Sequence, residues 1–134
     1  MNVILSIKPQ FVEEIVAGRK SYEFRKKGFK KKVNKIFVYA SSPVCRIVGE
    51  FKLGHVLEGS PDQIWSLTSQ RSGISKSYFD EYFMRHPIGF ALEIKSFRQY
   101  ELPINPYQVI KGFHAPQSFC YTEGLSNQLI EQQQ

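Results

Sequence analysis

Apolar positions near the N-terminus are spaced in two ways, and each spacing predicts an element. Val3–Ile7 is a short apolar run rich in β-branched residues, which is typical of a buried strand. Pro9 then fits the first turn of a helix, and Gly18 ends it, because glycine takes the left-handed C-terminal conformation at little cost. Between them the apolar side chains recur at helical spacing: Phe11, Val12, Ile15 and Val16. The chain therefore begins with a strand and an amphipathic helix.

The residues that follow the helix alternate between aromatic and polar side chains. In a strand, Tyr22 and Phe24 point to one face, and Glu23 and Arg25 lie side by side on the other. Lys20, at the entrance to this strand, can swing toward them. The pattern predicts a strand with its aromatic face inward and a charged pair on the opposite face.

The remainder of the chain is predicted to be mostly strand. Residues 26–34 form an exposed, charged loop, and residues 102–116 are irregular and rich in proline. Gly49 and Gly54 mark bulges in a segment that forms either one bent strand or a pair. The predicted strands are Lys35–Ala40, residues 44–56, residues 88–97 and residues 117–121.

Two short helices interrupt the strands. Ser60 caps the first, and Ser75 caps the second after a break at Ser72-Gly73. The second helix carries aromatic residues that are expected in the core: Tyr78, Phe79, Tyr82 and Phe83. This order predicts an α+β fold, a small mixed and strongly bent sheet or β-barrel with about three flanking helices. We expect one domain over residues 1–124 and a polar, disordered tail over residues 125–134.

Charge is unevenly distributed along the 134 residues. The net charge is +6, and residues 19–35 hold nine of the 18 Lys and Arg residues but one acid, Glu23. Such clustering favours nucleic acid or another polyanion, although a merely solvated loop is the alternative for residues 26–32. Glu23 and Arg25 likewise have a structural alternative, an exposed ion pair on a strand face, worth less than about 1 kcal/mol.

The chain shows no metal motif. Cys45 and Cys120 lie far apart without ligand spacing around them, and His55, His86 and His114 are dispersed, so we expect no metal and no cofactor. The two cysteines are expected to be buried thiols in apolar strands, and a disulfide between them is the alternative. No apolar stretch approaches the length of a membrane span, and no signal peptide is evident. The expected compartment is the cytoplasm.

Several short motifs together resemble the ASCH domain, a member of the PUA-like fold group. The central motif is Gly-x-Lys-x-x-Glu-x-Arg, formed by Gly18, Lys20, Glu23 and Arg25. The other matching segments, which resemble a bacterial and archaeal branch, occur in the expected order: Leu5-Ser6-Ile7-Lys8-Pro9, Tyr39-Ala40-Ser41-Ser42-Pro43, Val48-Gly49-Glu50-Phe51, Ser72-Gly73-Ile74-Ser75 and Ala115-Pro116-Gln117-Ser118-Phe119. The resemblance covers most of the chain.

The resemblance implies a β-barrel with helices around it and a cleft that holds RNA, a nucleotide or a modified base. Lys20, Glu23 and Arg25 would line this cleft. Weaker candidates for ligand contacts are Lys8, Ser42, Gln117 and Ser118. The loop lysines expected to contact phosphates are Lys26, Lys27, Lys30, Lys31 and Lys32. Relatives with a helix-turn-helix domain resemble transcription regulators, and this chain would need a protein partner for such a role.

The resemblance also raises the question of catalysis. One branch is similar to an amidohydrolase that deacetylates N4-acetylcytidine through a lysine and a threonine. Here the threonine position is Glu23, and the segment expected to supply a glutamate reads Gln70-Arg71-Ser72, so this activity is not expected. Other members resemble metal-independent ribonucleases. For such a reaction in this chain, Lys and Arg side chains could stabilise the transition state and Glu23 could act as general base.

Three functional hypotheses follow. The first is an RNA- or nucleotide-binding module with a cationic cleft. The second is a small hydrolase acting on RNA or a modified nucleoside in the same cleft. The third is an accessory protein-interaction domain. A basic surface recognises phosphates rather than bases, so the sequence does not determine the identity of the ligand.

Overall fold

The N-terminal elements form where the apolar spacing predicts them. A computed structural model describes residues 1–122, and the predicted tail and its boundary lie outside the described residues. Strand β1 (Val3–Ile7) is buried, and helix α1 (Pro9–Val16) packs its apolar face on the core. Gly18 follows with φ +80°, a conformation that glycine adopts without strain, and the chain then enters strand β2 (Tyr22–Arg25).

Strands β3 (Lys35–Ala40) and β4 (Arg46–Gly59) occupy the middle of the sheet. β4 is one long, bent strand, because its pairing shifts register around both Gly49 and Gly54. A Cβ at Gly49 would lie 2.6 Å from the carbonyl oxygen of Arg98, so glycine is required for this close approach of two backbones. The shifts bend the sheet where the glycines were expected to do so.

The two predicted helices begin at the predicted serines. α2 (Pro61–Thr68) starts with a capping box at Ser60, and α3 (Lys76–Tyr82) starts with the Ser75 side chain accepting a backbone N–H. Phe79 and Phe83 are buried against β2, as expected. Tyr78 and Tyr82 are only half-buried, however, and the site described below explains their different exposure.

The C-terminal part departs from the prediction. Strand β5 (Gly89–Ile104) runs well past residue 97, helix α4 (Pro106–Val109) follows, and strand β6 is Phe119–Tyr121. The irregular structure predicted for residues 102–116 is therefore wrong at its start. Proline is compatible with extended backbone, and buried Tyr100 and Ile104 hold the end of β5 in a second apolar cluster.

All six strands belong to one sheet, in the order β2-β5-β4-β3-β1-β6. β1 pairs with β3 in parallel and every other pair is antiparallel, so the sheet is mixed. It curls into a half-barrel with four α-helices in the described part of the chain, one more than predicted. The predicted α+β class is confirmed. Across residues 1–122, none of the helices has both the length and the apolarity to cross a bilayer.

The charged loop between β2 and β3 is only partly exposed. Its lysines face solvent, but Val33 is 8% exposed and Phe29 packs on the ring of Phe119 with centroids 4.8 Å apart. The prediction of a wholly exposed loop is therefore wrong at these two positions. Cys45 and Cys120 are free, half-buried thiols, and Cys45 lies between strands rather than within one.

Glu50 joins three strands of the sheet. Its carboxylate accepts hydrogen bonds from Tyr100 and Arg98, each at 2.9 Å, and lies 3.1 Å from the Lys35 ammonium. Burial by itself would raise the pKa of Glu50, but the hydrogen bonds from Tyr100, Lys35 and Arg98 outweigh it and hold that pKa below 4.5. The carboxylate therefore stabilises the fold in its ionised form.

Replacing this carboxylate gives a pH-dependent prediction. We expect Glu50→Gln to lower the free energy of unfolding by about 1–2 kcal/mol near neutral pH. Because the folded-state pKa is depressed, this contribution is present above the ordinary pKa and is lost as the pH falls through the lowered value. Urea unfolding near neutral pH and near pH 3 measures both values. Exposed Glu101→Gln is the control, and an equal effect of Glu50→Gln at both pH values would contradict the assignment.

Candidate functional site

A cleft of about 750 Å³ opens where the two edges of the curled sheet approach each other. One wall is β2 with the first residues of the following loop, and another is the segment of residues 115–119 that leads into β6. The α3 tyrosines and the turn after β3 complete it. The site thus lies where the edge strands β2 and β6 approach each other, which we call the seam of the half-barrel.

A buried charged network forms the floor of the cleft. Lys20 is 2% exposed and Glu23 is 6% exposed. The Lys20 ammonium lies 3.4 Å from Glu23 Oε1, and the Arg25 guanidinium contacts Glu23 Oε2. The three motif residues are therefore brought together, as the alternation predicts. Their burial was not predicted, and it excludes the reading of Glu23 and Arg25 as an exposed ion pair.

Lys20 is held by backbone as well as by charge. Its ammonium donates to the Ser72 carbonyl oxygen at 3.0 Å and lies 4.8 Å from the centroid of the Phe24 ring. Burial lowers the pKa of Lys20, and the Glu23 carboxylate opposes that effect. Gly73 has φ +65° and approaches the Lys20 side chain so closely that a Cβ there would meet it at 2.4 Å. The Ser72-Gly73 turn is thereby fitted to this lysine.

Arg25 connects the two edges of the sheet. Its guanidinium donates to the Ser118 hydroxyl at 3.1 Å and to the Ser6 carbonyl oxygen at 2.6 Å, besides contacting Glu23. Its Nε is buried and has no hydrogen-bond partner among residues 1–122. A polar group at the cleft floor could satisfy this donor, which backbone and side chains leave unpaired.

The exposed cations stand at the rim of the cleft. Lys8, Lys26 and Lys27 line it and are exposed. The Lys8 ammonium lies 5.4 Å from the centroid of Tyr78, and the Lys26 ammonium lies 4.6 Å from that of Tyr82. The rim therefore offers positive charge directly beside aromatic faces.

The other candidate residues are divided between two places. Ser42, Gln117 and Ser118 line the cleft. Ser42 and Gln117 are exposed, whereas Ser118 is half-buried and accepts a hydrogen bond from Arg25. Lys30, Lys31 and Lys32 do not line it. Lys31 and Lys32 instead line a separate groove, which the same loop borders. Lys26 and Lys27 therefore line a different surface from Lys31 and Lys32, because Phe29 and Val33 anchor the loop between them. The phosphate contacts expected of these lysines stay a prediction.

Sequence reasoning missed the tyrosines of the cleft. Tyr39 and Tyr107 line it with their hydroxyls 2.7 Å apart. Burial, together with this hydrogen bond, raises the pKa of Tyr39, so the phenol is neutral at ordinary pH. Tyr39 lies in a predicted strand, and Tyr107 lies in the segment predicted to be irregular. No signal in the sequence connects them. In residues 1–122, no three His, Cys, Asp or Glu side chains cluster as metal ligands would.

The curled mixed sheet with helices packed around it is the PUA-like fold that the motifs predict. The ASCH domain family model matches residues 5–94, so the chain belongs to the ASCH domain family and the resemblance drawn from its motifs is confirmed. The crystal structure of ASCH from Zymomonas mobilis has the same fold, with a TM-score of 0.88 at 23% identity, covering 97% of this chain and 94% of that one. The N-terminal domain of Staphylothermus marinus McrB is similar with a TM-score of 0.61 at 16% identity, covering 97% and 93% of the two chains.

Two relatives are similar in sequence. The ASCH domain-containing ribonuclease of Zymomonas mobilis is 26% identical over 124 residues, which cover 90% of this chain and 83% of that protein. The large ribosomal subunit protein uL22 of Ureaplasma parvum is 36% identical over 92 residues. That match covers 67% of this chain but 29% of the ribosomal protein, so the chain corresponds to less than a third of that relative.

Loss of the seam contact should cost stability. We expect Arg25→Ala to lower the free energy of unfolding by about 3 kcal/mol, because it leaves the buried Glu23 carboxylate with one cation and removes the link between sheet edges. The control Lys27→Ala removes an exposed cation from the same cleft and should change that free energy by less than about 0.5 kcal/mol. Chemical denaturation compares the two variants. Equal stabilities would show that Arg25 does not hold the seam.

Proposed function

We propose that this chain is an RNA- or nucleotide-binding module whose ligand occupies the cleft. The composition of the cleft carries the proposal. Five cationic side chains and one carboxylate line it, together with seven aromatic rings. A nucleotide carries a negative phosphate and a flat base, and this combination of cations and ring faces suits both parts.

The buried residues at the floor of the cleft and the exposed residues at its rim have different roles in this proposal. Glu23 is occupied by Lys20 and Arg25, so the charge left for a ligand belongs to the rim lysines, which make no ion pair with any described residue. Lys8, Lys26 and Lys27 would contact phosphate. The half-buried rings of Tyr78 and Tyr82 would stack on the base, and Ser42, Gln117 and Ser118 would offer polar contacts to its edges. Arg25 would contact the ligand through its unpaired Nε.

A metal-independent ribonuclease is the second candidate. It is favoured by the Zymomonas mobilis relative named a ribonuclease, which aligns with 90% of this chain. In such a reaction Lys20 would stabilise the transition state and Glu23 would be the general base. Both oxygens of Glu23 are engaged by cations in this structure, however, and a general base needs a carboxylate free to take a proton. Binding is therefore the better-supported function, and an accessory protein-interaction role is the outcome if no nucleic acid binds.

Salt dependence tests the electrostatic part of the proposal. Affinity for single-stranded RNA should fall with salt by a log–log slope of about 0.7 for each phosphate contact. Replacing the three rim lysines Lys8, Lys26 and Lys27 together by alanine should flatten that slope by roughly two units with the fold intact. Titrations at several salt concentrations give both slopes. An affinity that does not respond to salt would contradict phosphate contacts.

Cleft variants distinguish a binder from an enzyme. Lys8→Ala with Lys27→Ala should weaken nucleotide or RNA binding by about 1–3 kcal/mol, because charge-assisted contacts are lost while the buried network stays intact. The matched control is Lys76→Ala with Lys111→Ala, which removes two exposed lysines outside the cleft.

Turnover is measured in the same samples. Incubation with single-stranded RNA and, separately, with N4-acetylcytidine should leave both intact when followed by chromatography. A product that disappears in Glu23→Gln, with unfolding behaviour retained, would make the protein a hydrolase. Binding unaffected by the cleft variants, with no product formed, would favour the accessory role.

A further inference from the structure

A second concave surface lies beside the cleft. We name it the lysine groove; it has a volume of about 820 Å³. It is lined by Lys31, Lys32, Lys35 and Lys52, with Glu58 as its one carboxylate, and Lys52 of β4 is the cross-strand partner of Lys35. We propose that this groove binds the continuation of a single-stranded RNA that has one nucleotide in the cleft. The inference rests on the proposed function and extends it from a nucleotide to a strand.

The charge of the groove is available to a ligand. Lys35 pairs with Glu50 at 3.1 Å and is committed to the sheet. Lys32 and Lys52 are exposed and form no ion pair with any residue in the described part of the chain. Both line the groove. A polyanion lying in it would be attracted by both ammonium groups.

The cleft and the groove share one wall. Lys26 and Lys27 line the cleft, while Gly28 and Phe29 line the groove. Consecutive Cα atoms are about 3.8 Å apart, so the two surfaces meet across a single turn of the loop. A strand leaving the cleft past Lys27 would therefore enter the groove without crossing apolar core.

The shared wall is held in place. The backbone N–H groups of Lys30 and Lys31 donate to the Tyr121 hydroxyl at 3.1 and 3.3 Å, and Val33 is buried. Phe29 packs on Phe119 beside them. The lysine backbones are thus ordered before any ligand binds, which reduces the entropy lost on binding. The half-buried Phe90 ring at the groove adds an apolar surface for a base.

Single-stranded RNA fits this arrangement better than a compact anion does. The cations form a path over two adjoining concave surfaces, and a chain of evenly spaced phosphates can occupy both at once. A free nucleotide reaches one surface only. An acidic peptide shares the charge but brings no flat bases for the aromatic side chains of the cleft.

Ligand length is the discriminating variable. Labelled RNA of about 12 nucleotides is titrated by fluorescence anisotropy at low salt, and each nucleoside monophosphate by calorimetry. Lys32→Ala with Lys52→Ala should weaken RNA binding about tenfold and leave mononucleotide binding unchanged. The double variant Lys76→Ala with Lys111→Ala is the charge-matched control and should weaken RNA binding by less than about threefold.

The possible outcomes distinguish the cleft proposal from the groove proposal. RNA affinity that falls equally in both double variants, or in neither, overturns the groove and leaves the cleft function standing. Mononucleotides that fail to bind, with RNA binding still dependent on Lys32 and Lys52, overturn the cleft proposal and the continuation from cleft to groove, and leave the groove as a separate RNA site. No binding of either ligand by the unmodified protein overturns both. Displacement of the RNA by a poly-glutamate peptide of equal charge would show that the groove takes acidic segments and would overturn RNA as its occupant.

Discussion

The guanidinium of Arg25 joins two edges of a sheet that backbone pairing leaves open. β2 and β6 are the terminal strands of the six-stranded order, and Arg25 on β2 reaches both Ser6 in β1 and Ser118 just before β6. The guanidinium carries several donors in a fixed fork, so it can bond a carbonyl, a hydroxyl and a carboxylate at once. The curvature of the half-barrel, set by shifts along β4, brings these partners within reach of one another.

Burial of that contact sets the electrostatics of the cleft. A guanidinium away from water needs a counter-charge, and Glu23 supplies it, while Lys20 balances the second carboxylate oxygen from the other side. Lys20 in turn ties β2 to the Ser72 backbone, so the network also positions the segment before α3. Lys20, Glu23 and Arg25 at the floor form ion pairs with one another. The positive charge available to a ligand therefore belongs to the lysines at the rim. The same residues that close the fold therefore determine which cations are free for function.

The charged loop between β2 and β3 connects structure and function in a different way. Two apolar residues, Phe29 and Val33, pack it onto the barrel. Lys26 and Lys27 line the cleft, and Lys31 and Lys32 line the lysine groove. A uniformly polar loop would leave these charges dispersed in solvent. Anchoring makes a run of lysines into two separate cationic surfaces.

The local sequence pattern was sufficient to predict the helices and strands, whereas contacts between distant residues determined the geometry of the site. Helical spacing before Gly18, serine caps before α2 and α3, and alternation in β2 depend on neighbours a few residues apart, so the sequence predicts them directly. The motif also placed Lys20, Glu23 and Arg25 together. Their burial, however, depends on partners 52 and 93 residues away, Ser72 and Ser118. The Tyr39–Tyr107 pair spans 68 residues, and no local periodicity carries such information. The neighbours of a strand face are determined only when the sheet curls, and here the curling buries the charged pair predicted on one face of β2 at the floor of a cleft.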